Sequence, residues 1–468
     1  MTRTARAHPA FGVPLEHLEE ITFPEERARF QAYAKEGKPC LVRGLASAWP
    51  FVAHGRFDPS LGERLRERLG LDLCHVNFQN SSTLFGFEVP EGWEAPGDDS
   101  QRGSSAQKEQ PRLINPGRLE MAFGAFLDAC ELKQAPGDGP ELSGVECKCQ
   151  GVTVVNAPYD DYDEADRERD NIACRVERAL DVSLSLLATL SLYCVEDATN
   201  WPTDVLEWFV PGDPIATLLP EWAIHLKERR LWMSAGGPGR VGRGGVGARQ
   251  AHVTSGFHWD HMQNLHVVLS GQKEIFLLPP LEAPVLHATR YCPQAQWRLV
   301  PGEKPLSAYL ALWPMRSHES SSDYAIVSVD EDFTTNAARN RRLRNLALEL
   351  GQVPFWCVLR PGDAIYIPPG WWHSVRTWRS SASERALPCA LSVNFWYALT
   401  ASDRRLHGPT LLALKALSCQ RALSWDPEAL LDRFAHEFGV NFASSPRIGA
   451  TRDGARACGE SEVFELVD

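Results

Sequence analysis

The 468-residue chain predicts an α+β protein whose core is mainly β, a sandwich or barrel of short strands. Two observations carry that prediction. From Gln250 onward the apolar runs are short and β-rich: His252-Val253-Thr254, Asn264 to Leu269, Glu274 to Leu278, Trp356 to Leu359, Ala364 to Ile367 and Ala390 to Phe395. Between them stand the turn signals Ser270-Gly271, Pro279-Pro280, Pro361-Gly362-Asp363 and Pro368-Pro369-Gly370, the punctuation of many short strands folded on one another.

The flanking elements follow in order. Pro24 to Gly37 predicts a short helix, with Pro at its start, Gly past its end and Phe30, Tyr33 and Ala34 on its buried face. Cys40-Leu41-Val42 predicts a strand ending at Arg43-Gly44, with Ser47-Ala48-Trp49-Pro50 after it. Leu119 to Leu132 predicts a second helix, because Leu119, Phe123, Phe126, Leu127 and Cys130 form one amphipathic stripe. Three segments read as insertions. Pro90 to Pro111 is rich in Gly, Ser, Pro and charge, and Gln134 to Asp170 holds the acidic run Asp160-Asp161-Tyr162-Asp163-Glu164. Gly236 to Arg249 has seven glycines, three arginines and no acid, the composition of a flexible linker. Past Tyr397 the pattern turns helical again: Asp426 caps, Pro427 opens, and Leu430, Phe434 and Phe438 repeat until Gly439. The organisation predicted is an N-terminal α/β extension with loop insertions over 1–180, a β core over 181–400, and a helical region over 401–468.

Composition bounds the function. The chain is 44% hydrophobic and 23% charged, which excludes a fibrous or wholly disordered protein. Its 48 basic against 60 acidic residues give a formal charge of −12, unsuited to general nucleic-acid binding. The longest near-apolar run, Val182 to Val195, is broken by Ser183, Ser185, Thr189 and Ser191 and falls short of the ~20 residues of a bilayer span. No apolar stretch follows Arg3 and Arg6, so no secretory signal is expected. Twelve cysteines without a CxxC pair predict reduced thiols and a cytoplasmic or nuclear location. Cys147-Lys148-Cys149 lacks a second pair at zinc spacing.

The chemistry concentrates in Phe257-His258-Trp259-Asp260-His261-Met262-Gln263-Asn264. On a strand, His258 and Asp260 would present an imidazole and a carboxylate to one ion. Pro361 to His373 reads as turn, buried strand, turn, then a second histidine. Two histidines and one carboxylate on one face leave coordination sites open, an arrangement suited to non-haem Fe(II) that must also bind a cosubstrate and O2; the same set also binds Mn(II) or Zn(II). Just after the next strand stands Lys273. A lysine projecting into a barrel calls for an anion, and a cosubstrate carboxylate would supply it. Trp259, Trp371, Trp372 and Trp396 read as barrel packing. No nucleophile motif and no His-Glu-x-x-His site supports proteolysis.

Taken together, His258-x-Asp260, Asn264, Gly271-x-Lys273, Leu278-Pro279-Pro280, Pro361-Gly362-Asp363, Ile367-Pro368, Trp372-His373 and Val393-Asn394-Phe395-Trp396-Tyr397 resemble the JmjC (jumonji C, cupin-like) Fe(II)/2-oxoglutarate oxygenases. Upstream, Pro39 to Gly44 and Ala48-Trp49-Pro50 resemble the N-terminal part of the small JmjC hydroxylases. Asp260-His261-x-x-Asn264-Leu265, Val268 to Gly271 and Tyr193 with Thr199-Asn200 resemble the jumonji domain-containing protein 7 type of lysyl hydroxylase.

The resemblance implies a double-stranded β-helix (jelly-roll) catalytic domain over 181–400. It implies that His258, Asp260 and His373 hold the iron, that Lys273 pairs with the distal carboxylate of 2-oxoglutarate assisted by Tyr193, and that Asn264 and Asn394 line the cosubstrate pocket. The family usually has Thr three residues before the first ligand; here Ser255 stands there and Thr254 precedes it. The implied activity is hydroxylation of a lysine in a protein substrate, a translation-linked GTPase, with release of succinate and CO2. A homodimer through C-terminal helices, with Leu411, Leu412, Leu414 and Leu417 as apolar surface or as packing against the barrel, is also implied. A histone lysine demethylase shares the chemistry but usually carries chromatin-reading modules; a non-catalytic cupin-like scaffold would be free to lose one of the four site residues.

Overall fold

The computed structural model describes residues 6–7, 14–79, 83–84, 86–88, 112–133, 151–156, 180–234, 252–280, 294–315, 324–325, 354–378 and 387–420. The sequence-predicted helix at 426–439, the insertions at 90–111 and 236–249 and the Cys147–Cys149 pair lie outside the described residues. Nine strands build the site: β1 (Ser191–Asp197), β2 (Leu226–Ser234), β3 (His252–Ser255), β4 (Gln263–Ser270), β5 (Gln272–Leu278), β6 (Phe355–Leu359), β7 (Ala364–Ile367), β8 (Trp372–Trp378) and β9 (Ala390–Tyr397). Three helices are labelled: α1 (Arg27–Lys35), α2 (Phe123–Leu132) and α3 (Ala401–Gln420).

Strands β1-β2-β9-β4-β7 run consecutively inside an 11-stranded sheet, and β6-β5-β8-β3 inside a 7-stranded one. A further four-stranded sheet joins Gly86–Glu88, Arg112–Asn115, Gln294–Pro301 and Ala308–Met315. The two large sheets close on one another as a jelly roll. Val268, Ile365 and Ile367 of one sheet pack with Ile275, Leu277, Cys357 and Leu359 of the other in a single buried cluster. Side-chain alternation explains the division of labour. On β4, Asn264, His266 and Val268 face between the sheets, while Leu265, Val267 and Leu269 join the larger cluster outside, with α1 residues Phe30 and Ala34. Because both faces are covered, every β4 residue is buried, the near-continuous burial of a two-sided strand.

The structure corrects three sequence expectations. The predicted helix at 119–132 is a strand, Gly117–Ala122, followed by α2. Alternate residues Gly117, Leu119 and Met121 are buried, so Leu119 joined the helical stripe only because i and i+4 also fit a period of two. The segment 134–170 is not wholly an insertion, since Gly151–Asn156 pairs with Gly117–Ala122 on one side and Leu180–Ser183 on the other. The predicted α1 begins three residues later than Pro24, at Arg27, while Gly37 past its end takes the left-handed backbone expected, φ +63°. Strands on both sides of residue 180 share one sheet, Ser191 pairing with Gln79.

Two clamps tie distant chain to the barrel. Arg43 donates to Asp363 Oδ2 at 2.6 Å, to the Val358 carbonyl at 3.0 Å and to Glu20 at 2.7 Å, and the Gly44 amide donates to Asp363 Oδ1 at 3.2 Å. The second clamp is α3. Leu411 and Leu414 are buried against the turn at Gly370, where a Cβ would lie 3.3 and 3.1 Å from their methyls. These two leucines pack on the barrel; Leu412 is half-buried, and the Leu417 side chain lies outside the described residues.

Gly271 turns β4 into β5 with φ +81°, and an added Cβ would sit 2.6 Å from the Trp378 carbonyl oxygen. Neither backbone nor turn can yield cheaply. Gly271→Ala is expected to lower stability by about 2 kcal/mol or more, read as a lower denaturant midpoint with an unchanged slope.

Candidate active site

His258 lies three residues beyond the end of β3 and bridges to β8: its amide donates to the His373 carbonyl at 3.0 Å, and its carbonyl accepts the His373 amide at 2.8 Å. His258 and Asp260 were expected on a strand; the structure places them on the segment after β3, with only His258 in a bridge. The Gly370 amide donates to the Asp260 carbonyl at 2.8 Å, so the turn held by α3 fixes this segment from the other side. One ligating atom from each of His258, Asp260 and His373 lies within 4.8 Å of the others.

Both rings are oriented by the same device. Nδ1 of His258 meets the Gly256 carbonyl at 2.9 Å, and Nδ1 of His373 meets the Trp371 carbonyl at 3.0 Å. A carbonyl only accepts, so Nδ1 carries the proton and each Nε2 keeps its lone pair for the centre. His373 Nε2 stands 3.7 Å from Asp260 Oδ2. Burial pushes the His373 ring down to about 4, with His258 adding to the effect, which keeps it neutral and able to ligate at neutral pH. Burial works against the Asp260 carboxylate, but His373 and His258 outweigh it and hold it below its ordinary value. Two imidazoles and a carboxylate whose ligand atoms converge fit a divalent ion.

Asp260 is also held from behind. Its Oδ2 accepts Asn264 Nδ2 at 3.1 Å and Trp396 Nε1 at 3.3 Å. Asn394 Nδ2 donates to Asn264 Oδ1 at 2.6 Å, and His266 Nδ1 meets Asn394 Oδ1. Every orientation in this relay follows from its first member, because a carboxylate can only accept. His266 therefore carries its proton on Nδ1 and presents a bare, buried Nε2.

Lys273 is the second residue of β5, inside the strand rather than before it, and is 2% exposed. Its Nζ donates to Tyr193 Oη at 3.1 Å across the gap between sheets. Burial alone pushes it down to about 7; no carboxylate among the described residues pairs with it. Thr377, directly opposite Lys273 on β8, hydrogen-bonds with Tyr193. It lies four residues from His373 on the same strand, about 13 Å away. Of the two hydroxyls before His258, Ser255 shares the interior face with Val253, which packs on Tyr193, whereas Thr254 points outward. Ser255 Oγ accepts the Val375 amide at 3.0 Å and keeps a proton to donate.

Sequence reasoning missed Thr377 and His266, although both lie an even number of residues from a motif member on a strand. It also read Trp396 as packing. Trp259 and Trp372 are buried, and Trp371 packs beside the inner cluster with its Nε1 on the Gly37 carbonyl; Trp396 instead reaches the Asp260 carboxylate.

A jelly roll that converges two histidines and a carboxylate at its mouth, with a lysine buried deeper in the same interior, has the architecture of a double-stranded β-helix protein whose cluster could hold a metal ion. The profile of the cupin-like domain matches residues 26–403, and the chain belongs to that family. It is 28% identical over 175 residues to the lysine-specific demethylase JMJ32 of Arabidopsis thaliana, covering 37% of this chain and 47% of the relative. It is 24% identical over 155 residues to the bifunctional peptidase and (3S)-lysyl hydroxylase JMJD7 of Homo sapiens, covering 32% and 39%. The chain thus spans less than half the length of these curated relatives. Among the described residues no helix is long and apolar enough to cross a membrane.

Removing a ligand and loosening one should be separable. His373→Ala should abolish tight Mn(II) binding, while Asn264→Ala, which only frees the Asp260 carboxylate, should weaken it about 10–100-fold. Calorimetric titration of the metal-free protein would read both.

Proposed function

We propose that the chain is an Fe(II)- and 2-oxoglutarate-dependent oxygenase that hydroxylates a lysine side chain of a protein substrate. The observation that carries this reading is the pairing of the His258–Asp260–His373 centre with a buried Lys273 that no carboxylate among the described residues compensates, in one interior. A buried ammonium without a counter-charge is costly, and a dicarboxylate that chelates a metal at one end relieves that cost at the other.

His258, Asp260 and His373 would hold the iron, leaving it one net positive charge and an open face. Iron held there would supply O2 activation toward a C–H bond, with 2-oxoglutarate converted to succinate and CO2. Lys273, with the Tyr193 hydroxyl against it, anchors the distal carboxylate; Thr377 and Ser255 add hydroxyls on the same face. Asn264 and Asn394 keep the ligating carboxylate from rotating. Ile275, Leu277, Val268 and Ile365 close the interior with apolar surface, excluding water from the cosubstrate.

Lysine as the target is supported by the names of both relatives and by a chain of formal charge −12, which favours approach of a basic segment. A translation-linked GTPase is the partner class the lysyl hydroxylase likeness suggests. Demethylation is the second reading, favoured by the Arabidopsis relative's name. Mass spectrometry of candidate lysine peptides separates them: hydroxylation adds one oxygen, demethylation removes a methylene unit.

Anaerobic addition of Fe(II) and 2-oxoglutarate should give the visible charge-transfer band of the chelate. That band should be lost in His258→Ala and should need far more cosubstrate in Lys273→Ala; folded, iron-loaded wild type without a band would sink the oxygenase reading. Cosubstrate affinity should also depend on pH. Above about 7 the free site holds Lys273 neutral, so binding the dianion takes up a proton. Affinity should then fall by up to about tenfold per pH unit as pH rises above 7, a slope that Lys273→Ala removes.

A further inference from the structure

We propose that Tyr324 is a positioning residue for the metal ligand His258, its ring lying along the flank of the imidazole and fixing the plane in which that ligand meets an ion. This rests on the metal centre of the oxygenase reading above. It assigns a role there to the long excursion between β5 and β6, which carries none of the barrel motifs beyond Pro279-Pro280.

The three ligands are not equally supported. His373 lies on β8 and is 3% exposed, and Asp260 has Asn264 and Trp396 behind its carboxylate. His258 lies past the end of β3 and is half-buried. Among the described residues its ring is held by one hydrogen bond, Nδ1 to the Gly256 carbonyl. Such a bond fixes the direction of one nitrogen and leaves the ring free to tilt about it, so the plane must be set by what lies beside the ring. The His373 ring, 4.2 Å away, is inclined at 50° and gives it no flat wall. The Tyr324 ring is inclined at only 24°, with centroids 5.9 Å apart, within the range of an offset-stacked pair.

The backbone puts the phenol ring there. His258 has two antiparallel bridge partners, His373 and Tyr324. A residue in a ladder pairs once on each side, so Tyr324 flanks His258 on the side away from His373. Directly opposed residues point their side chains to the same face. His373, His258 and Tyr324 therefore form a row on the face where the ligand atoms converge. The Ala325 amide donates to the Phe257 carbonyl at 2.8 Å and pins this bridge, with Ala325 and Phe257 both buried. The excursion leaves the barrel after Leu278, supplies Gln294–Pro301 and Ala308–Met315 to the four-stranded sheet, and at Tyr324 returns to the ligand segment before β6 begins.

The test is Co(II) loading of the full chain, reading the visible ligand-field spectrum of the bound ion and its rate of release into excess chelator, with thermal melting of the same proteins without metal. Tyr324→Phe keeps the ring, and Tyr324→Leu keeps apolar bulk without one. Tyr324→Leu should shift the ligand-field bands and release Co(II) about tenfold faster, the effect of losing an outer contact that orients a ligand, while its metal-free melting temperature stays at the wild-type value. Tyr324→Phe should match wild type in all three measurements. A wild-type spectrum and release rate in Tyr324→Leu would overturn the inference and leave the metal centre standing. Equal loss in Tyr324→Phe and Tyr324→Leu would overturn it in favour of a role for the hydroxyl, and loss in Tyr324→Leu that tracks a lower metal-free melting temperature would overturn it in favour of general packing. Wild-type protein without a Co(II) spectrum that His258→Ala removes would overturn both the inference and the metal centre on which the oxygenase reading stands.

Discussion

The structure depends on keeping polar and charged groups in the narrow interior between two sheets whose other surfaces are apolar. Asp260 stands at the mouth and Lys273 deep inside, and neither could remain charged there by chance. The carboxylate survives because two imidazoles and two donors, Asn264 and Trp396, surround it. Among the described residues the ammonium has only a tyrosine hydroxyl, so burial drives it toward neutrality. One end of the interior could thus hold a cation, and under the proposed function the other receives an anion. The functional reading follows from this asymmetry, because a molecule carrying a chelating group and a distal carboxylate complements both ends at once.

Hydrogen-bond polarity carries that order along the interior. A carboxylate can only accept, so Asn264, Asn394 and His266 must all point their donors back toward Asp260. His258 and His373 obey the same logic with backbone carbonyls two residues earlier. Their orientation is built into the local chain path and needs no side-chain partner that substitution could remove. The centre is therefore preorganised by groups that are themselves fixed.

Segments distant in sequence hold that chain path in place. Arg43 reaches Asp363 at the turn before β7, and Leu411 and Leu414 press on Gly370, whose amide fixes the Asp260 carbonyl. The N-terminal motif Arg43-Gly44 and the C-terminal helix both act on the turns that deliver His373. This explains why sequence signals for the barrel extend far outside 181–400. The large sheet likewise draws strands from the N-terminal third, and α1 residues Phe30 and Ala34 join the cluster on the outer face that lets β4 be buried on both sides.

The sequence by itself determined the β core, its turn-marked strands and the residues that converge on the centre. Those signals are local: Pro and Gly fix turns through backbone conformation, β-branched runs fix strands, and His-x-Asp with a later His follows from ligand chemistry, although His258 and Asp260 lie past the end of β3 and not on a strand. It did not determine that Leu119 sits on a strand, that Gly151–Asn156 joins a sheet, or that Thr377, His266 and Trp396 line the interior. Leu119 fits both periods, and only hydrogen bonding to a neighbouring strand chooses between them. Thr377 and His266 gain their meaning from register across β5–β8 and β4–β9, which sets which residues share a face and a depth. Register is a property of paired chains, so tertiary structure alone could decide it.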